Sequence, residues 1–174
     1  MSPIEKAIEC RTQLKFNYRT KTASTAAIRS VNPLGCFLVG FCYLCAATGT
    51  GDAAIYRLDL LESVEAADIS FEPKIGWDFK KWTSESFGVF HGDDLINVKL
   101  RFSKAVAARA EKIIFHHYQK IARGRNGTLV IELWCRGLRE LIWELLHPDW
   151  LGEVTIERAE YLAQVEKAKS AVAV

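Results

Sequence analysis

Residues 31–59, VNPLGCFLVGFCYLCAATGTGDAAIYRLD, decide the fold. β-Branched and aromatic residues crowd Cys36–Leu44 and Ala53–Leu58, and Gly35, Gly40 and the Thr48–Asp52 run supply turns between them. Short strands in quick succession leave no room for crossover helices, so the pairing must be antiparallel. A sheet built this way is expected to curl into a small barrel.

Working outward, Leu14–Arg19 alternates apolar and polar residues over strand length, and a further strand runs from about Ala26 to Val31. Pro33 forces an extended conformation on Asn32 and, with Gly35 following, closes that strand. Leu60, Leu61 and Val64 complete the barrel sequence. Before it all stands a helix start with two independent signals. Ser2 is placed as the N-cap with Glu5 to reciprocate, and Pro3 occupies the first helical position, where its missing N–H costs nothing.

From about residue 68 to 94 glycine and proline punctuate a run rich in Trp77, Phe79, Trp82, Phe87 and Phe90. This predicts a linker with one short helix near Asp78–Glu85, its aromatic residues buried against the flanking domains or forming a dimer contact. The remainder reads strand, helix, strand, strand, helix, strand, helix. Leu95–Phe102 alternates; Ser103 is placed to cap a helix with the stripe Val106, Ala110, Ile113, Ile114; and His117–Ala122 and Thr128–Cys135 flank the hairpin signal Asn126-Gly127. Leu138, Leu141, Ile142 and Leu145 stripe a second helix ending before Pro148. A last strand at Gly152–Ile156 and a last helix over Arg158–Lys169 follow. The β-α-β-β-α-β order predicts a ferredoxin-like arrangement. The fold class is therefore α+β: a barrel domain over 1–67, a linker over 68–94 and a ferredoxin-like extension over 95–174.

Arg29-Ser-Val31-Asn-Pro33-Leu-Gly35, the strand ending Cys42-Tyr43-Leu44, then Gly51-Asp52 and Tyr56-Arg57-Leu58-Asp59 together resemble the WYL domain of bacterial transcriptional regulators. Cys42 stands where the family's name triplet has tryptophan. The resemblance implies an Sm-like barrel, and the C-terminal half is similar to the extension that follows such domains. Regulators of this kind carry a winged helix-turn-helix ahead of the first helix; only one residue precedes Ser2, so the expectation is a chain that does not read DNA sequence through that motif.

The resemblance further implies a ligand-sensing surface whose polar cluster meets a nucleotide or single-stranded nucleic acid. Thr20 stands at the expected hydroxyl, Tyr43 at the motif tyrosine and Arg57 at the second of two arginines. Ala54 replaces the first arginine, and no histidine lies between Leu44 and Gly51. Arg29 and Arg19, on neighbouring strands, are the cations placed to restore the charge. Against this stands a plainer reading, in which Tyr43 and Arg57 are ordinary strand residues and the arginine pairs with Asp59 or another carboxylate.

At 174 residues, with 49% hydrophobic and 25% charged composition, the chain has the make-up of a soluble globular protein, without an apolar run long enough to cross a bilayer or a signal-peptide core. Five cysteines, three in strand-like sequence, fit reduced thiols in a cytoplasm better than a disulfide framework. The net charge of +2 says little, but Arg101, Lys104, Arg109, Lys112, Lys120, Arg123 and Arg125 stand against Glu111 alone in one window. Such a concentration attracts polyanions if the fold gathers it on one face, and is otherwise a solvated surface. Cys42-x-x-Cys45 has ligand spacing, but i and i+3 on a strand point to opposite faces, so no metal is expected. His116 and His117 are expected on opposite sides of a strand. No catalytic motif and no phosphate-binding glycine loop occurs, and no cofactor is implied. The sequence thus predicts no enzyme. It points to a regulatory, homodimeric module that senses a nucleotide or single-stranded nucleic acid, or to a degenerate interaction module that binds no ligand.

Overall fold

The computed structural model describes residues 2–20, 24–49, 52–92, 94–137 and 139–157. It is a mixed α and β architecture dominated by two antiparallel sheets. The chain divides into two compact units, Met1–Thr83 and Ser84–Val174.

The first unit opens with helix α1, Pro3–Cys10. The Ser2 hydroxyl accepts the Glu5 amide at 3.2 Å and the Glu5 carboxylate accepts the Ser2 amide at 2.7 Å, so two N–H groups that lack intrahelical partners are satisfied at once. Arg11, in the left-handed region at φ 53, ends the helix. Strands β1 (Thr12–Tyr18), β2 (Ala27–Val39), β3 (Phe41–Ala47), β4 (Ala53–Arg57) and β5 (Leu61–Ser70) follow, in the order β4-β3-β2-β1-β5. Ala7, Leu14, Phe16, Val31, Leu44, Ala46 and Tyr56 form the core. Side chains the size of Phe16 and Leu44 contribute about 1.5–3 kcal/mol each when fully buried.

β2 is long enough to serve two partners: its first half pairs with β1 and its second with β3. The register shifts between Pro33 and Gly35, where proline cannot donate to the ladder and the strand bends.

The expected closed barrel is not formed by backbone pairing among the described residues. β1 has only two edges, and β2 and β5 occupy both, leaving β4 as the opposite margin. A side chain spans the gap instead. The Tyr18 hydroxyl accepts the Arg57 amide at 3.3 Å, and the Tyr18 and Tyr56 rings meet edge to face at 5.1 Å. β5 also continues to Ser70, past Leu60, Leu61 and Val64, and Ser63, at φ 53, lies where the register shifts against β1.

Helix α2 (Phe79–Glu85) contains the division between the units; Asp78 accepts the Lys81 amide at its start. The second unit comprises β6 (Ile96–Phe102), α3 (Ala107–Ala110), β7 (Lys120–Arg123), β8 (Leu129–Cys135), α4 (Arg139–Leu145) and β9 (Val154–Ile156), with sheet order β7-β8-β6-β9 and every pairing antiparallel. Alternate residues of β6 and β8, from Val98 to Phe102 and from Leu129 to Cys135, are buried with Val106, Leu141, Leu145 and Trp150. Asn126 and Gly127 both take the left-handed conformation that a tight turn at this dipeptide requires.

Two expectations fail here. The helix after Ser103 is a single turn: Val106 and Ala110 are buried, but Ile114 is 79% exposed. Beyond Ala110 the hydrogen bonds tighten to i+3, with Lys112 on Arg109 and Ile113 on Ala110, and the helix ends. His116 and His117 lie in the turn ahead of β7 rather than in a strand. Gln119 holds that turn, its Oε1 accepting the amides of Phe115 and His116 and its Nε2 donating to the Ile113 carbonyl. A side chain thus supplies the partners that a strand ladder would have provided. The expected helix over 158–169 lies outside the described residues.

Candidate ligand-binding face

Phe37, Tyr43 and Arg57 are direct partners across β2, β3 and β4. Residues opposite one another on antiparallel strands share a face, so these three stand in a row. Their face is the reverse of the one that carries Leu44 and Tyr56 into the core. Phe37 and Tyr43 stack at 5.6 Å with 22° between their planes.

From α2, Phe79 and Trp82 close on Phe37 at 6.5 and 6.3 Å, and Trp77 lies 5.9 Å from Trp82. This packing explains Gly35: a Cβ there would sit 2.7 Å from the Phe79 ring. Cys45, two residues beyond Tyr43 on the same face, is buried, and burial pushes its thiol up to about 12. It is an inert packing residue.

Arg57 is the cation on this aromatic bed. Its guanidinium lies 3.8 Å from the centre of the Phe41 ring, and its side chain is 24% exposed. Nε and Nη2 donate to the two Asp59 carboxylate oxygens at 3.0 and 2.5 Å, a forked geometry. The hydrogen bond raises the arginine's pKa and holds the aspartate below its ordinary carboxylate value. A phosphate entering here would compete with Asp59 for the same donors.

The other residues singled out from sequence do not join this row. Arg29 pairs with Phe16, so it belongs to the core-side face, exposed and near the Tyr56 phenol. Arg19 and Thr20 follow the end of β1 and are exposed. Phe37 and Phe41 were passed over in the sequence, although the alternation through Phe41-x-Tyr43 puts Phe41 on the motif tyrosine's face.

The basic window of the second unit is divided by the same periodicity. Lys120 pairs with Glu132 and Arg101 with Val130, both facing away from the buried side of the sheet, whereas Arg123 pairs with the buried Leu129. Three of the cations have carboxylate partners: Arg101 with Glu157, Arg109 with Asp149 and Arg123 with Glu111. Lys120 lies over Trp134 at 5.1 Å, and Lys112 and Arg125 are exposed.

His116 is the buried imidazole of this unit among the described residues, 5% exposed and stacked on Phe87. Its Nδ1 accepts the Tyr118 amide at 3.2 Å, and its Nε2 is buried without a hydrogen-bond partner. Burial lowers its pKa; the nearby Ser86 backbone opposes that shift without outweighing it.

The model of the WYL domain family matches residues 1–66. The likeness to the WYL domain is thus confined to the first unit. The match ends inside β5 and includes none of the second unit. Among solved structures, Proteasome accessory factor B/C (PafBC) of Arthrobacter aurescens is similar at 18% identity with a TM-score of 0.42, over 94% of this chain and 25% of that one. The chain thus spans about a quarter of that protein's length. No curated protein matches it. Among the described residues no group of three or more His, Cys, Asp or Glu is arranged to hold a metal ion, and no helix is long and apolar enough to cross a membrane.

Proposed function

We propose that this chain is the ligand-sensing and dimerising part of a WYL-type transcriptional regulator, acting in the cytoplasm without catalysis of its own. Its effector is a nucleotide or a short single-stranded nucleic acid. The observation that carries this reading is the row Phe37–Tyr43–Arg57: a base stacks on the aromatic residues while a phosphate takes the guanidinium. In this reading the bent five-stranded sheet is an Sm-like barrel closed through Tyr18, and the second unit, with its β7-β8-β6-β9 order, is a ferredoxin-like extension.

Asp59 sets the sensitivity of such a site, because the effector must displace it from Arg57. Asp59→Asn is therefore expected to tighten binding of a fluorescent oligothymidylate or nucleoside triphosphate several-fold, and Arg57→Ala to weaken it about ten-fold, with affinity falling steeply as salt rises. Flat titrations at low salt with both probes would remove the effector.

The forked Arg57–Asp59 pair also favours a second reading, an interaction module whose arginine is held for structure alone. That reading expects dimerisation without ligand and unchanged in Tyr43→Phe and Arg57→Lys. Sedimentation of these variants separates the two.

A further inference from the structure

In the second unit, one exposed cation is held by rings rather than by a carboxylate. Arg139, at the start of α4, has its guanidinium carbon 4.7 Å from the centre of the Phe90 ring and 4.8 Å from that of Trp143, one helical turn further on. Trp143 is 53% exposed and Phe90 46%. No ion pair or hydrogen bond takes the Arg139 donors among the described residues. A stacked guanidinium keeps its in-plane N–H groups for an acceptor, and a rigidly held one loses little freedom when it finds one.

The chain holds this cluster in place at some cost. Glu140 accepts the amides of both Val89 and Phe90 through Oε1, while its Oε2 is buried without a partner. Gly88, at φ +75, has no Cβ where the Glu140 side chain passes, at 2.9–3.1 Å. Gly137 is more restricted still, since a Cβ there would lie 1.9 Å from the Phe90 carbonyl oxygen. Three separate features thus fix the backbone that carries an exposed phenylalanine over an exposed arginine. A buried, half-satisfied carboxylate is unfavourable for stability alone.

We propose that Phe90, Arg139 and Trp143 form a docking site for an acidic polypeptide segment, one of whose carboxylates is received in the plane of the Arg139 guanidinium. Charge complementarity points to this partner. On the same helix Glu140 accepts the two backbone amides through Oε1 and Glu144 accepts the Trp150 indole N–H, and neither pairs with Arg139 among the described residues. Arginine and tryptophan side by side are also the composition of interface anchors, and an aromatic border suits the apolar neighbours of an acidic side chain better than it suits a free ion.

The test uses the full chain and three fluorescein-labelled probes: a peptide alternating glutamate with leucine, its glutamine counterpart, and an oligothymidylate. Fluorescence anisotropy should show the glutamate peptide binding, with the glutamine peptide and the Arg139→Ala variant each about ten-fold weaker, as loss of a forked charge-assisted pair requires. Arg139→Lys keeps the charge and loses the fork, so it should also bind weakly; it decides the matter if the alanine variant does not fold. Trp143→Ala should weaken binding while leaving the preference for glutamate. The proposal is overturned if the glutamate peptide fails to bind, if both peptides bind alike, if Arg139→Lys binds as the parent does, or if Arg139→Lys weakens the oligothymidylate rather than the glutamate peptide. Concentration-dependent self-association that Arg139→Lys abolishes would assign the surface to a second copy of the chain and overturn it too.

Discussion

The two sheets bring together residues of very different sequence separation. In the first unit, residues far apart in sequence, Phe37, Tyr43 and Arg57, are drawn into one row by strand register. In the second, the three strand cations of the window from Arg101 to Arg125, namely Arg101, Lys120 and Arg123, divide between the two sides of the sheet, and Arg101, Arg109 and Arg123 pair with carboxylates. A dense window of charge is thus a poor guide to a charged surface, because the side-chain period of two disperses it. A sparse set of residues at matched register positions is the better one.

The largest effects lie beneath both surfaces. Phe16 and Phe102 are among the largest side chains with almost no exposure, one in each core. Phe16→Ala and Phe102→Ala are each expected to cost about 3–5 kcal/mol in chemical denaturation. A much smaller loss for one of them would show that the two cores are not equivalent supports. Gly35→Ala comes next, at about 1–3 kcal/mol, since its new methyl group meets the Phe79 ring and α2 or β2 must shift. If denaturation leaves Gly35→Ala unchanged, the aromatic bed beneath Tyr43 is looser than its geometry implies.

A pH series probes the second unit through His116. Its pKa is lowered in the fold, so the unfolded chain takes up a proton that the folded one resists. Its contribution is therefore whole above the ordinary imidazole pKa of about 6.5 and declines as the pH falls through that value. Thermal melts between neutral and mildly acidic pH should show this decline, and His116→Phe should flatten it. A slope that survives the substitution assigns the acid sensitivity to other groups. The smallest effect belongs to the surface pairs: Arg123→Ala, which breaks an exposed pair with Glu111, should change stability by less than about 1 kcal/mol. A larger loss would mean that the dispersed cations support the fold after all.

Where an element depends on its own few residues, it was legible in advance. The Ser2–Glu5 capping box, the left-handed turn at Asn126-Gly127 and the burial of alternate residues from Val98 to Phe102 all follow from neighbours within a few positions. The pairing of Arg57 with Asp59, only two residues away, was open to the same kind of reasoning. Missed features depend on partners the local pattern does not contain. Gln119 reaches back to cut α3 short and turn His116 inward, β5 shifts register at Ser63 and runs on, and Tyr18 meets β4 where a ladder was expected.

Composition and periodicity, then, determined by themselves that this chain builds antiparallel sheets, where its first helix starts and which side of β6 and β8 goes inward, because those are short-range consequences of side-chain size and backbone preference. Only the tertiary structure decided that Tyr43 and Arg57 share a face while Arg29 does not, that Phe41 lies against the guanidinium, and that Phe90 is brought over Arg139. Register and long-range packing set those facts, and a one-residue slip would reverse the first of them.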